Sequence, residues 1–278
     1  MKLKSYSKIN LSLKVLRKKA SGMHDIQSNS ILVNLNDEIF IKKSNLKYNK
    51  VIFKGSFSKY VNKSNNSVLK VVKYLEEKNI FKNKYKFTII KNIPVYSGLG
   101  GGTSNAATIL RHFIKKKLTS KTINNLSKTI GSDYQLFLNN QSFQSSLKKV
   151  IPYKKKHNLN LIVVFPNKLC STKKIYSKVY NYSLPGKNNF GNILSTKKYI
   201  NLISREKNDL QPIVEKKYPV VRQIIEFLNN QKYCVFSRMT GSGSACFGVF
   251  LTKEKAYETL RKVRRKFPFS FSVITKTI

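Results

Sequence analysis

The segment Pro94-Val95-Tyr96-Ser97-Gly98-Leu99-Gly100-Gly101-Gly102-Thr103-Ser104 packs four glycines into five positions and follows them with two hydroxyl residues. Glycine has no Cβ, so successive backbone N–H groups can turn toward one point. A helix starting at that point adds its positive end, and the guest that suits both is a phosphate. Two better-known phosphate loops are excluded by spacing. A Walker loop needs GxxxxGK[ST], yet no lysine follows these glycines before Lys115; a dinucleotide fingerprint opening at Gly98 needs glycine where Thr103 stands. A second cluster, Thr240-Gly241-Ser242-Gly243-Ser244-Ala245, lies between Val235-Phe236 and Phe247-Val249-Phe250. Apolar flanks on both sides make it a tight ordered loop rather than a linker.

Moving a phosphoryl group to an alcohol also needs a way to take the hydroxyl proton and to stabilise the transferred charge. The chain has four aspartates to choose from, Asp25, Asp37, Asp133 and Asp209. Asp133 comes just after Gly131, where a helix is expected to stop, and reads either as a base or as a helix-end turn aspartate. Lys8 shares a side with Asn10 and Ser12, opposite Ile9, Leu11, Leu13 and Val15, and that pattern alone leaves it a site lysine or a surface lysine. The three histidines, His24, His112 and His157, and the three cysteines, Cys170, Cys234 and Cys246, lie far apart with no CxxC or HExxH spacing. No metal-ligand set is therefore expected, and an odd cysteine count without a framework fits a reducing cytoplasm.

The elements that must position these residues follow from periodicity. Alternation from Ile9 to Val15 predicts a half-buried strand, with further strands at Ile31 to Ile41 and Tyr85 to Ile90. Val68, Leu69, Val72 and Leu75 form a helical stripe over Ser67 to Leu75. The glycine segment runs from a short strand into a helix whose apolar face is Ala106, Ala107, Leu110, Phe113 and Ile114 and whose terminal lysines suit the negative end of the dipole. A second helix spans Lys121 to Ile130, with Gly131 as its stop. After a polar stretch around Asn139 to Lys156, a buried-type strand from Leu159 to Phe165 opens a second unit. Helices around Thr172 to Val179 and Pro219 to Leu228, a strand at Cys246 to Leu251, a helix carrying Ala256, Leu260 and Val263, and a strand within Phe269 to Ile278 complete it. Strands and helices interleave without a regular βαβ period, which predicts an α+β fold.

Lys+Arg 54 against Asp+Glu 12 gives a net charge of +42 in a chain of 278 residues that is still 41% hydrophobic. The apolar share excludes a solvated basic tail. One reading of the charge is a nucleic-acid partner; the other is compositional, since lysine is spread along the whole chain beside abundant Asn, Ile and Ser and no face is singled out. The second reading is preferred, so no specific nucleic acid is expected. No stretch approaches the ~20 apolar residues of a bilayer span, and Lys8 and Lys14 interrupt any signal-like segment, which predicts an unexported protein with no membrane partner.

Three motifs in order, Ser7-Lys8-Ile9-Asn10-Leu11, Pro94 to Ser104 and Met239 to Ala245, resemble those of the GHMP kinase superfamily of small-molecule kinases, and the resemblance spans nearly the whole chain. SGMHDIQS with His24, IGSD at 130–133 and NDLQPIV at 208–214 are similar to the branch serving non-mevalonate isoprenoid synthesis, whose substrate is a cytidine-diphosphate ester of a branched erythritol phosphorylated at its 2-hydroxyl. Homoserine- and mevalonate-type kinases are the alternatives within the family. The resemblance implies an N-terminal ribosomal-protein-S5-like domain over 1–155 and a C-terminal ferredoxin-like domain over 156–278. It implies Lys8 and Asp133 as catalytic residues and Pro94 to Ser104 as the holder of ATP, with Mg2+ bound largely through the phosphates. Asn10, Met23, His24, Lys148, Tyr176, Gly241 and Ser242 are implied for a small-molecule substrate, and a homodimer stays open. The chain departs from the family at Met23, where relatives carry an aromatic residue before the histidine. A thioether still packs against an aromatic base, so weaker binding rather than a changed substrate is expected.

Overall fold

Ile9, Leu11, Leu13 and Val15 are all buried, as the period-two pattern requires, but the opposite face is buried as well: Lys8, Asn10 and Ser12 are each at most 3% exposed. The expectation of one half-buried strand from Ile9 to Val15 is thus corrected: one strand ends at Asn10 while the next begins at Lys14, and both faces are buried, the polar one included. Buried polar groups need partners, and this face has them. The Asn10 side-chain N–H group donates to Ser28 Oγ at 2.7 Å and Ser30 Oγ at 3.0 Å. Ser12 Oγ accepts from the Asn29 backbone N–H at 3.2 Å and its Nδ2 at 3.1 Å.

The computed structural model describes residues 1–115, 118–186 and 189–278; Lys116 and Lys117, two of the lysines expected at the end of the helix after the glycine segment, lie outside them. The elements run β1 (Lys2–Asn10), β2 (Lys14–Lys18), β3 (His24–Ser44), β4 (Lys50–Lys54), α1 (Ser67–Glu77), β5 (Lys84–Ile90), α2 (Gly101–Phe113), α3 (Ser120–Ile130), β6 (Gln141–Ser146) and β7 (Lys149–Pro152). They continue as β8 (Asn160–Phe165), α4 (Thr172–Tyr176), α5 (Thr196–Ser204), α6 (Gln211–Lys217), α7 (Pro219–Asn229), β9 (Cys234–Met239), β10 (Cys246–Phe250), α8 (Lys253–Lys266) and β11 (Phe271–Lys276). Among the described residues no helix is long and apolar enough to cross a membrane. The chain divides into two compact units, one of Met1–Ser7, Leu35–Val95 and Gly100–Leu138, the other of Lys8–Asn34, Tyr96–Leu99 and Asn139–Ile278.

In the first unit the later part of β3 pairs antiparallel with β5, which pairs parallel with β4. Ile39 and Ile41 of β3 stand opposite Ile89 and Phe87 of β5, and all four are buried. α1 packs on α2 and α3, with a 3-10 segment, Ser132–Leu138, set on α2 and α3, and the Phe113 ring of α2 lies 6.2 Å from that of Phe87. Asn66 caps α1 by accepting from the Leu69 N–H at 3.0 Å. Its buried stripe is Val68, Val71, Val72 and Leu75; Val71 takes the place expected of Leu69.

In the second unit the first part of β3 pairs with β2 and β6, and β6 forms a hairpin with β7. The polar stretch expected there is this hairpin. Its buried positions are filled by Gln141, Ser142 and Gln144 as well as Phe143, so no apolar alternation announces it. A second sheet of order β11-β8-β10-β9 is antiparallel throughout. With α7 before β9 and α8 between β10 and β11 it has the ferredoxin-like arrangement. Its core joins Ile162, Val164, Val221, Ile224, Leu228, Met239, Cys246 and Val263. The helix expected to reach Val179 stops at Tyr176, and two helices that the periodicity did not announce, α5 and α6, precede α7.

Candidate active site

In the second unit the two glycine clusters meet over the end of β1. Gly98, with φ +83°, approaches so closely that a Cβ there would lie 2.3 Å from the Thr240 carbonyl oxygen and 3.0 Å from the Gly243 nitrogen. A Cβ on Gly241, with φ +56°, would lie 2.9 Å from the Gly98 carbonyl oxygen and 3.1 Å from both Lys8 Nζ and Asn10 Oδ1. Only glycine serves at either position. Backbone bonds fix the crossing: the Lys8 N–H donates to the Leu99 carbonyl at 3.0 Å and the Ala245 N–H to the Ser97 carbonyl at 3.0 Å. The Asn10 N–H donates to Thr240 Oγ1 at 2.9 Å. Lys8 is inside this cluster, its ammonium donating to Asn10 Oδ1. Asn208 donates from Nδ2 to the carbonyls of Met239 and Gly241, both at 2.9 Å, and so holds the second loop from below. Ser242 Oγ lies 3.0 Å from Thr172 Oγ1.

In the first unit the glycine segment becomes α2. Its N-cap, Gly100, has φ +70° and no side-chain cap. Side chains cap α1, α3, α4, α5 and α8, and α6 and α7 open with proline. Among the described α-helices α2 alone has neither device, and its first-turn N–H groups lie at the positive end of the helix. Pro94 is buried and Val95 half-buried, Tyr96 is exposed with φ +55°, and Leu99 is fully buried. Gly102 is exposed, with nothing within 4 Å of where its Cβ would be. The Ser104 hydroxyl turns inward, donating to the Tyr6 carbonyl at 2.5 Å and accepting from Ser5 Oγ at 2.8 Å. Thr103, one residue earlier, faces Gly131, and a Cβ on Gly131 would lie 2.7 Å from Thr103 Oγ1. Asp133 follows two residues later in the 3-10 segment, half-buried, anchored by its buried neighbours Tyr134, Leu136 and Phe137. Among the described residues no cluster of three or more His, Cys, Asp or Glu side chains could hold a metal ion.

His24 opens β3 and is buried. Burial first, and the Lys18 ammonium second, lower its pKa below the ordinary value, so the ring is neutral near pH 7 with one donor and one acceptor nitrogen. The Tyr176 ring lies 5.2 Å from it at 37°, and Tyr182 lies 6.2 Å away at 33°. Met23 is 46% exposed beside them. Lys148 is exposed on the β6–β7 turn, which is tied to this end of β3 because the Leu147 N–H donates to Asp25 Oδ1 at 3.2 Å. Tyr182 was not anticipated from the sequence. It is placed by its neighbour Ser183, whose N–H donates to the Val15 carbonyl at 2.8 Å and whose hydroxyl donates to Asp209 Oδ2 at 2.7 Å. Asp209 also accepts from the Val15 N–H at 2.8 Å. Asn208 and Asp209 fall in the NDLQPIV motif and Thr240 in the second glycine cluster, so those motifs signal them; for Tyr182 the sequence carries no signal of a role.

The first half of the chain matches the family described as GHMP kinases N terminal domain over residues 66–140, and the second half matches GHMP kinases C terminal over 189–268. The chain is 38% identical over 282 residues to the 4-diphosphocytidyl-2-C-methyl-D-erythritol kinase of Pelagibacter ubique (strain HTCC1062), covering 100% of this chain and 99% of that protein. In structure it is similar to a crystal structure of 4-(cytidine 5'-diphospho)-2C-methyl-D-erythritol kinase, with a TM-score of 0.74, 20% identity and coverage of 99% of this chain and 98% of that one. A homoserine kinase from Cytophaga hutchinsonii reaches a TM-score of 0.71 at 15% identity, covering 100% and 94%. The two structures share a fold with this chain and do not separate the two activities; the sequence identity does.

Proposed function

The chain belongs to the GHMP kinase family, and from that premise we propose that it transfers the γ-phosphoryl group of ATP to the 2-hydroxyl of 4-diphosphocytidyl-2-C-methyl-D-erythritol. The observation that carries this reading is the 38% identity, over the whole of both chains, with a kinase of that name. In this reading the domains divide as 1–155 and 156–278, each containing one of the two family matches.

Each proposed role rests on residue chemistry. Asp133 accepts the proton of the attacking hydroxyl. Lys8 orients that hydroxyl and offsets the charge that develops on it; its burial under two glycine loops favours this, because a fixed ammonium in a dry setting stabilises charge better than a mobile surface one. The uncapped first turn of α2 and the glycines from Gly98 to Gly102 hold the phosphates. Magnesium would arrive with the nucleotide and neutralise phosphate charge, and the half-buried Thr103 hydroxyl is the α2 group chemically fit to contact it. A neutral His24 reads the donor and acceptor edge of cytosine while Tyr176 supplies a ring face, with Asn10, Lys148, Gly241 and Ser242 lining the rest. We place the reaction in the cytoplasm, where thiols such as Cys170, Cys234 and Cys246 stay reduced.

The test is ADP release by the purified protein with that substrate. Turnover well above an Asp133→Asn control is expected, and turnover no higher than that control would sink the proposal.

A further inference from the structure

Asp37 is not among the residues given a role in the proposed transfer, and it is 0% exposed. It sits in the part of β3 that belongs to the first unit, and four donors converge on its carboxylate. Oδ1 accepts from the N–H groups of Asn92 at 2.7 Å and Ile93 at 2.8 Å. Oδ2 accepts from Asn105 Nδ2 at 2.9 Å and from the Lys91 ammonium, itself buried. Lys91 Nζ also donates to Asn105 Oδ1 at 3.0 Å. Asn105 then donates to Ser5 Oγ at 2.9 Å, and Ser5 donates to Ser104 Oγ at 2.8 Å.

These partners bracket the glycine segment. Lys91, Asn92 and Ile93 come immediately before Pro94; Ser104 and Asn105 follow the last glycine, inside α2. Under the first residue of that helix the fit is tight. A Cβ on Gly101 would lie 3.0 Å from Ile93 Cγ2 and 3.3 Å from Lys91 Nζ. A buried ion pair contributes little net stability over apolar packing of the same shape, so stability alone does not account for charge at this place. What the charges do supply is fixed geometry at both ends of a loop that glycine leaves soft, and a cation beneath the end of the helix where anion-binding N–H groups emerge.

We infer that the buried Asp37–Lys91–Asn105 network positions the phosphate-holding turn, fixing the first-turn N–H groups of α2 for the nucleotide. Asp37 and Lys91 are positioning residues and touch neither reactant. The inference rests on the reading of Gly98 to Ser104 as the ATP loop, and the experiment separates the two.

ATP affinity is measured by calorimetry on the full chain, together with KM for each substrate and the melting temperature. Wild type, Asp37→Asn, Lys91→Met, Lys91→Arg, the double Asp37→Asn/Lys91→Met and the milder Ser5→Ala are compared. The charge-removing variants are expected to weaken ATP binding and raise KM for ATP at least tenfold, with KM for the acceptor changed less than twofold. Lys91→Arg should recover part of the affinity. The double variant should melt close to wild type, since no charge is left unpaired, and still bind ATP weakly. Should the single charge variants fail to fold, the double variant and Ser5→Ala, for which a threefold weakening is expected, decide the matter. ATP affinity within twofold of wild type in those well-folded variants, or equal changes in both KM values, would overturn the inference. A wild-type protein that binds no ATP overturns instead the reading of the loop.

Discussion

Gly131 stands against Thr103, with room between them for a hydrogen and for no methyl group: a Cβ on Gly131 would be 2.7 Å from Thr103 Oγ1. Gly131 ends α3 with φ +151°, a value that favours glycine, and Thr103 is the third residue of α2. The turn that carries Asp133 is therefore seated on the helix that follows the first glycine cluster. Gly131→Ala is expected to lower stability by about 1–3 kcal/mol for the backbone conformation, and by more for the clash. Adding Thr103→Ala removes the hydroxyl, so the double variant should regain part of the melting temperature without regaining turnover. Melting curves that show no recovery would mean the clash is not what Gly131 avoids.

The loop glycines divide by what surrounds them. Gly98→Ala would drive a methyl group to 2.3 Å from the Thr240 carbonyl at φ +83°, and it should destabilise the protein by several kcal/mol. Gly102 meets nothing within 4 Å and is inside a helix, where alanine is favoured over glycine by up to about 1 kcal/mol. Gly102→Ala should therefore melt at or above the wild-type temperature and yet show a raised KM for ATP, because the nucleotide is then what the methyl group meets. An unchanged KM would place the phosphates elsewhere.

The parts of this architecture that a single strand or helix can specify are legible in the sequence. The apolar stripes of α1, α2, α7 and α8 and the alternation of β11 predicted those elements to within a few residues, since burial of one face writes a period into the chain. Where burial falls on polar residues the period is lost. Lys8, Asn10 and Ser12 read as a solvated face, and Gln141, Ser142 and Gln144 as a loop, because hydrogen bonding to distant residues is what allows their burial. The glycine spacing and apolar flanks announce tight ordered loops. That the clusters cross each other, with Gly98 against Thr240, depends on contacts more than a hundred residues apart. Tyr182 was illegible for the same reason: its place beside His24 is set by Ser183, Val15 and Asp209.

Gly241 and Asn10 close on the Lys8 ammonium. The site of a Cβ on Gly241 is 3.1 Å from its Nζ, and Asn10 Oδ1 accepts from it. Lys8→Met, similar in length without the charge, should reduce kcat about a hundredfold, equivalent to roughly 2.7 kcal/mol of transition-state stabilisation. Lys8→Arg should rescue little, since a planar guanidinium cannot take the compact ammonium's place beside Asn10 Oδ1 and Gly241. Full activity in the arginine variant would show that charge alone suffices and that position does not matter.

Tyr182 brings a second ring to His24, whose chain neighbour Met23 has none. If cytosine lies against this ring cluster, Tyr182→Ala removes stacking worth about 1–3 kcal/mol, a rise of roughly 5- to 150-fold in KM for the acceptor, with kcat and KM for ATP little changed. Met23→Tyr in the Tyr182→Ala background should restore much of the loss. A Tyr182→Ala protein with unaltered acceptor KM removes Tyr182 from substrate binding.

The proposed role of His24 in reading the base carries a pH signature. Burial, and then Lys18, hold its pKa below the ordinary ~6.5. A folded-state value lower than the unfolded one means the unfolded chain binds the proton first. The stability contributed by the neutral ring is thus complete above about pH 6.5 and falls away as the pH drops through that value toward the folded one. Acceptor binding follows the same sense, because protonation turns the acceptor nitrogen of the ring into a second donor. KM for the acceptor should be flat from about pH 8 to about 6.5 and rise at lower pH, below the folded-state pKa. In His24→Gln, which offers one donor and one acceptor and does not titrate, the acceptor KM should be higher at neutral pH and free of the acid rise. If the acid rise persists unchanged in that variant, another group is responsible and His24 does not read the base.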